Sequence, residues 1–323
     1  PSTSQLALVG HDSDIVEHGL PFTPGHELSG VVVEVGKGVE NFSVGDRVAV
    51  PFILSCGDCR ECARDKSTVC EDQEQPGFTM PGSFAQFVAI PRADRNLARL
   101  SEGVSFVAAA ALGCRVTTAY RAVVLQGRLR ARESVAIFGC GGVGLSMVMV
   151  AKALGASPII AVDVSQEART KAHQLGATAI VDASGLSGTQ VAEKVTAITG
   201  GGADLCVDAA GFAETCEAAV YATRRAGRMV QVGLPLGHTP AIPMARVAGR
   251  EIEIIGSHGC AAADFPGILG LVERGVLRPE RLVESEVDLA TGAATIQSMD
   301  TSSPFGIVMI TDLGPPCPPK SRV

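Results

Sequence analysis

The sequence predicts an α/β protein, a region of strands and turns followed by a parallel sheet with helices on both faces. Three observations predict it. From residue 134 onward, short apolar runs alternate with helical segments. A glycine-rich turn, Gly139-x-Gly141-x-x-Gly144, links the first of those runs to a helix. Ahead of both, residues 22–50 read as β-branched strands separated by turns.

Composition bounds the possibilities. A chain of 323 residues fits two domains better than one. Apolar residues make up 46%, so a sizeable core is available, but only 4% are aromatic and there is no Trp. The core is therefore built from Val, Ala, Leu and Ile around 37 glycines, which favours β-branched strands and tight turns. The net charge of −7 comes without a basic cluster. That argues against nucleic acid or an anionic membrane as a partner. The run "SMVMVAKALGA" is interrupted by Lys152, and no apolar run is read as membrane-spanning. No signal peptide is visible, and the first residue is Pro, so the chain is read as processed or as a piece of a longer one. Ten cysteines are present, four of them between Cys56 and Cys70 and the others single. A disulfide-stapled secreted domain would be shorter and more evenly cross-linked. A reducing compartment, the cytoplasm, is expected.

Along the chain, "GVVVEVG" reads as a strand, "FSVGDRVAV" as a turn followed by another strand, and residues 51–83 as a polar, Cys-rich stretch with turns at Pro76-Gly77 and Pro81-Gly82. "GSFAQFVAI" is again strand-like, and "SFVAAAALGCRVTTAYRAVV" is Ala-rich and long enough for a helix. Six strands follow in alternation with helices: "SVAIF", "PIIAVDV", "TAIVDA", "DLCVDAAG", "RMVQVG" and "EIEIIG". That spacing marks βαβ units. A helix, "FPGILGLVERGVL", leads to a last strand, "FGIVMITDL", and the proline-rich tail "GPPCPPKSRV" is expected to be disordered.

The glycine turn stands in the context a dinucleotide site requires, after an apolar strand and at the start of a helix. Gly139 allows the tight turn, Gly141 lets backbone approach a pyrophosphate, and Gly144 lets helix pack on strand. The next strand ends at Asp163, 24 residues after Gly139. A carboxylate there accepts hydrogen bonds from ribose hydroxyls and repels a 2′-phosphate, which favours NAD over NADP. Arg169, six residues on, is too far along to clamp a phosphate. Cys140 reads as a small space-filler. The alternative is a glycine turn that binds nothing.

Cys56-x2-Cys59-x2-Cys62-x7-Cys70 offers four thiolates to one tetrahedral zinc. A site closed by four protein ligands has no place for substrate, so its role is structural. Two disulfides or an iron–sulfur cluster are the alternatives. The first fits a cytoplasmic chain badly, and the second has no other support in the sequence. Separately, "TPGHELSG" sets His26 beside Glu27, two metal-ligand types or an ordinary polar corner ahead of a strand. Cys114, alone in its helical segment, reads by itself as a buried small hydrophobe.

Taken together, "PGHELSGVVVEVG", "VGDRV", the four-cysteine lobe, "LGCRVTTAY", "GCGGVG" and Asp163, in that order, resemble the zinc-containing alcohol dehydrogenases of the medium-chain dehydrogenase/reductase superfamily, from about Gly10 to Leu313. The resemblance implies a Rossmann doubly wound parallel sheet inserted in a GroES-like, mostly-β catalytic domain, with the active site in the cleft. Residues 1–115 would be the catalytic domain with its structural-zinc lobe at 56–70. Residues 116–256 would bind NAD, 257–313 would return to the catalytic domain, and 314–323 would be the tail. It also implies a catalytic zinc on His26 and Cys114, with Glu27 behind the ion or ligating transiently. Thr118 would contact the nicotinamide, and Val232, Gly233 and Leu234 would line its carboxamide side. The cofactor set would place Gly139, Cys140, Gly141, Gly142, Val143 and Gly144 at the phosphates and Asp163 at the ribose.

The implied activity is hydride transfer between an alcohol and NAD, giving an aldehyde or ketone, by a homodimer or homotetramer. Zinc would act as Lewis acid, and Thr3 falls where the proton-relay hydroxyl would be. One departure stands out. The family carries a further Cys ligand about two dozen residues before Gly-His-Glu, and here that position falls near Pro1, in "PSTS". His11 could substitute, or the N-terminus is cut or altered. Lower zinc occupancy at the catalytic site than at the cysteine lobe is expected. Two rivals remain: a zinc-independent NAD(P)H quinone or enone reductase, and a catalytically impaired dinucleotide-binding protein.

Overall fold

Three short strands open the computed structural model, which describes residues 21–235, 237, 239–299 and 306–315. β1 (Leu28–Val31), β2 (Arg47–Val50) and β3 (Ala98–Arg99) pair antiparallel in that order. They belong to the first of two compact units, whose described residues come from Pro1–Cys114, Gly259–Glu273 and Arg278–Val323. The second unit is Arg115–His258 with Arg274–Leu277.

Two strand expectations need correcting. The run "GVVVEVG" forms a strand only as far as Val31; beyond it, among the backbone bonds of the described residues, cross-strand pairing continues only at Val32, whose amide and carbonyl bond to Asp46 and Gly45. Branching at Cβ is a context-dependent preference and does not extend a strand past its pairing partner. "GSFAQFVAI" is not a strand. Its start is tied instead to the chain just before His26: the Gly82, Ser83 and Phe84 amides donate to the carbonyls of Thr23, Gly25 and Pro24.

The Ala-rich segment forms one continuous helix, α1 (Phe106–Gln126). Ser105 caps it by accepting the Ala108 amide at 3.1 Å. At 21 residues α1 is long and apolar enough, by length and composition, to cross a membrane, which the sequence reading did not single out. Of its most apolar window, 67% is buried within the protein, as in a core helix. Two of its stretches widen to π-helix, Leu112–Val116 and Arg121–Gln126.

The second unit contains all six expected strands. They are β4 (Val135–Phe138), β5 (Ile159–Asp163), β6 (Ala179–Asp182), β7 (Ala203–Asp208), β8 (Thr223–Gln231) and β9 (Glu253–Gly256). Every pairing is parallel, in the order β6-β5-β4-β7-β8-β9. The connecting helices are α2 (Gly142–Ala153), α3 (Gln166–Leu175), α4 (Gly188–Thr199), α5 (Ala213–Ala222) and α6 (Met244–Arg250). All four residues of β4 are buried, so its run is apolar without alternation, as a strand covered on both faces requires. Each such Val, Ile or Phe contributes roughly 1.5–3 kcal/mol by leaving water. Strand order reverses between β4 and β7. In open parallel sheets, ligands bind outside the carboxyl ends of the strands at that point.

The chain then re-enters the first unit through α7 (Phe265–Glu273), which stops two residues before Gly275. β10 (Val283–Asp288), α8 (Leu289–Ser298) and β11 (Ile307–Asp312) follow, with β10 and β11 parallel. Most of the proline-rich tail, residues 316–323, lies outside the described residues.

Candidate functional site

The four clustered cysteines come together. Their sulfurs all lie within 4.8 Å of one another. Cys56 and Cys62 are 3.9 Å apart, Cys59 and Cys70 3.8 Å, and Cys56 and Cys70 3.5 Å. Four sulfurs 2.3 Å from a shared zinc in a tetrahedron stand about 3.8 Å apart, so the spacing fits that ion. Backbone amides point at the sulfurs: those of Asp58 and Cys59 donate to Cys56 Sγ, that of Cys62 to Cys59 Sγ, and that of Cys56 to Cys70 Sγ. The Cys62 and Glu71 amides hold the Cys59 thiol down to about 6, while burial pushes Cys70 up to about 12. A shared cation is what lets both exist as thiolates. Cys56, Cys59, Cys62 and Cys70 form no disulfide, which removes that alternative for the lobe.

His26 is 8% exposed, edge-on to Phe52 with ring centroids 5.7 Å apart and tilted against Phe78 at 5.2 Å. Glu27, next to it, meets the π-helical turn that carries Cys114. The Cys114 amide donates to Glu27 Oε1 at 3.3 Å. This approach requires Gly113, since a Cβ there would lie 2.8 Å from Glu27 Cα. Single π turns inside α-helices are frequent at functional sites. An imidazole, a thiol and a carboxylate are all zinc donors. Even so, among the described residues the cysteine lobe is the one set of three or more His, Cys, Asp or Glu side chains with mutual ligand spacing under 4.8 Å, and His26, Glu27 and Cys114 do not form a second. Thr3 and His11 lie outside the described residues.

At the carboxyl end of β4 the chain turns through Gly139, at φ +92°. A side chain at Gly144 would stand 1.8 Å from the Gly139 carbonyl oxygen, so helix and turn touch there. Gly141 has nothing within 4 Å of its Cβ position, which leaves room for a ligand. It caps α2, whose first amides, at Gly142, Val143 and Gly144, have no intrahelical acceptor and lie at the positive end of the dipole. Cys140 is 1% exposed and burial pushes its thiol up to about 12, so it fills space; its amide donates to Asp163 Oδ2 at 2.6 Å. Asp163 Oδ1 accepts the Ser165 amide at 2.8 Å. A carboxylate has about four acceptor positions, so both oxygens can still receive ribose hydroxyls. Arg169 is committed elsewhere, donating to the Asp163 carbonyl at 2.9 Å and pairing with Asp182 at 2.8 Å.

Thr118 is 6% exposed, and its hydroxyl has no hydrogen-bond partner. An orphaned buried hydroxyl costs free energy unless a ligand completes it. Val232 and Gly233 donate their amides to the Asp208 carbonyl, and Leu234 is 65% exposed. Open space at Gly141, the unpartnered Thr118 hydroxyl and the switch in strand order together suit a dinucleotide.

Two family models match the chain: "Alcohol dehydrogenase GroES-like domain" over residues 4–102 and "Zinc-binding dehydrogenase" over 142–274. An alcohol dehydrogenase of Geobacillus stearothermophilus is 35% identical over 261 residues, covering 80% of this chain and 74% of that protein. The chain belongs to the zinc-type alcohol dehydrogenase family. An NAD-dependent alcohol dehydrogenase of Sulfurisphaera tokodaii is 32% identical over 292 residues, covering 89% of this chain and 81% of its own. Among solved structures, the alcohol dehydrogenase TADH from Thermus sp. ATN1 superposes with a TM-score of 0.83 at 30% identity, over 93% of this chain and 86% of its own. This alcohol dehydrogenase family member is thus an oxidoreductase acting between alcohols and carbonyl compounds.

The sequence reading of the dehydrogenase missed Asp208. Fully buried at the end of β7, it joins three loops. Its Oδ1 accepts the Ala210 and Gly211 amides, its Oδ2 accepts Gln231 Nε2 at 2.7 Å, and its carbonyl takes the two amides after β8. Ala210 in turn packs on Gly139. The available signal was an acid closing an apolar strand in "DLCVDAAG", directly before small residues.

Proposed function

We propose that this chain is an NAD-dependent zinc alcohol dehydrogenase in which His26, Cys114 and Glu27 serve the catalytic zinc and Cys56, Cys59, Cys62 and Cys70 hold a structural one. The observation that carries the reading is the Cys114 amide on Glu27 Oε1, which joins two segments 87 residues apart. When bound, zinc supplies Lewis acidity toward the alcohol oxygen, and NAD supplies the hydride acceptor. The chain's own residues position and exclude water. Phe52 and Phe78 wall the His26 ring with apolar surface. Asp163 receives the adenosine ribose, the amides at the start of α2 receive the pyrophosphate, and Thr118 with Val232, Gly233 and Leu234 receives the nicotinamide half. Thr3 supplies the proton-relay hydroxyl. Cysteines without disulfides suit a reducing cytoplasm, and the protein works as a homodimer or homotetramer without nucleic acid or membrane.

Oxidation of a panel of primary and secondary alcohols with NAD and NADP, followed by the absorbance of the reduced cofactor, tests this. Turnover with NAD that Cys114→Ser abolishes supports it. A second reading, an impaired family member that binds NAD without turnover, is favoured by the wider spacing of His26, Glu27 and Cys114. NADH binding with no turnover on any alcohol would establish that reading instead. A clear preference for NADPH with an enone would point to the reductase rival, against which Asp163 argues.

A further inference from the structure

The amide cradle at the start of α2 is not enough to neutralise a pyrophosphate. A helix N-terminus is equivalent to about half a positive charge, whereas a dinucleotide brings a negative charge on each of its phosphates. A full cation close by would complete the charge match. Arg169 lies six residues beyond Asp163, too far along α3, and is held by Asp163 and Asp182. Lys152 stands in the last turn of α2, at the wrong end, with its stem against Gly176.

Arg115 is in the right place. A Cβ built on Gly142 would lie 2.6 Å from Arg115 Cδ and 3.0 Å from its Nε. The stem of this arginine therefore crosses the glycine loop at the residue where the free amides begin, and Gly142 must lack a side chain to let it pass. Gly141 and Gly142 are both exposed, and Gly141 has nothing within 4 Å of its Cβ position, so the loop beside that stem has room for a ligand. Three residues further along the same helix is Thr118, 94% removed from solvent and with its hydroxyl unpartnered. One short segment thus offers a guanidinium beside the phosphate cradle and an unsatisfied hydroxyl beyond it. Asp163, at the end of β5, accepts the Cys140 amide of the same loop.

We propose that Arg115 is the residue that pairs with the cofactor's pyrophosphate. This rests on the dinucleotide reading of the glycine loop. A guanidinium matches two phosphate oxygens at once, which an ammonium cannot do.

Binding to the purified full-length chain, measured by calorimetry with NADH, ADP-ribose and adenosine, tests it without turnover. Adenosine lacks the phosphates and reports the rest of the site. For Arg115→Ala, NADH and ADP-ribose affinity should fall roughly tenfold to a hundredfold, with adenosine affinity unchanged. Arg115→Lys should recover part of the loss, and the dependence of ADP-ribose affinity on salt should flatten in the alanine variant. If Arg115→Ala binds ADP-ribose as wild type does, or loses adenosine in equal measure, Arg115 only packs on Gly142 and the inference is overturned alone. If wild type binds neither NADH nor ADP-ribose, the dinucleotide reading falls and takes this inference with it.

Discussion

The Gln231 side-chain amide donates to the buried carboxylate of Asp208 at 2.7 Å and to the Gly233 carbonyl at 2.7 Å, tying the loops after β7 and β8 together. Truncating the acid would strand the Ala210 and Gly211 amides and one Gln231 donor away from water. At about 1–3 kcal/mol for each buried group left unpaired, and without full additivity, Asp208→Ala should lose roughly 2–4 kcal/mol. It should also weaken NADH binding, because Ala210 packs on Gly139. Urea denaturation read alongside NADH titration checks both effects.

Asp208 should also mark the pH dependence of stability. Burial raises its pKa above the ordinary 3.8, against the hydrogen bonds from Gln231 and Gly211 that lower it. A carboxyl raised on folding keeps a proton in the native state that the unfolded state has already lost. Its contribution is therefore fully present below 3.8 and is lost as pH rises through the raised native value. Measured against Asp208→Asn, which does not titrate, wild type should hold its greatest relative stability in acid, and the margin should shrink as pH climbs through that window. A margin that grows with pH would mean the hydrogen bonds keep the carboxylate ionised.

The two zinc sites should differ in grip. The cysteine lobe has sulfurs 3.5–3.9 Å apart and amides already aimed at them. Removing one thiolate by Cys59→Ser should cost that ion and loosen residues 56–70, which hold only a one-turn helix at Arg60–Ala63 and a short 3-10 turn at Ser67–Val69. Dialysis against a chelator should empty the His26–Cys114 site first and the lobe much later. Metal analysis showing two ions per chain leaving at one rate would contradict the assignment.

The legible parts of this protein are those set by local chemistry. The central strands β4, β5 and β7 could be read because burial on both faces makes each a nearly unbroken apolar run, the others because they recur between helices at the same spacing, and the glycine turn because its spacing is fixed by a tight bend and a close helix–strand contact. The four cysteines could be read because short spacers leave few ways to arrange them around anything but one ion. What escaped depends on partners distant in sequence. "GSFAQFVAI" has strand composition, yet its backbone bonds to Thr23–Gly25 and not to a strand. Cys114 looks like a filler in an Ala-rich helix until a π turn brings its amide to Glu27. Asp208 looks like any acid after a strand, since what makes it a hub is that β4, β7 and β8 end side by side.

Cofactor choice should follow Asp163. Its carboxylate faces the loop through the Cys140 amide and would repel a 2′-phosphate. Asp163→Ala should raise the NAD dissociation constant roughly tenfold or more, by removing charge-assisted acceptors for the ribose. It should also narrow the preference for NAD over NADP. Paired titrations of wild type and variant with NADH and NADPH give the ratio, and an unchanged ratio would move discrimination to another residue.

Thr118 separates a ligand contact from a stabilising one. Its hydroxyl is buried with nothing to bond, so exchanging it for a methyl group of the same shape removes a desolvated polar atom and no interaction. Thr118→Val should therefore be neutral or more stable by up to about 1 kcal/mol in the absence of cofactor, the opposite of the usual outcome for a buried substitution. With NADH present the order should reverse, because the hydroxyl that was idle becomes a partner. Affinity should fall about three- to tenfold, near the worth of one hydrogen bond. Thermal melts with and without saturating NADH display both signs at once. A variant destabilised equally in the two conditions would show that Thr118 serves packing alone.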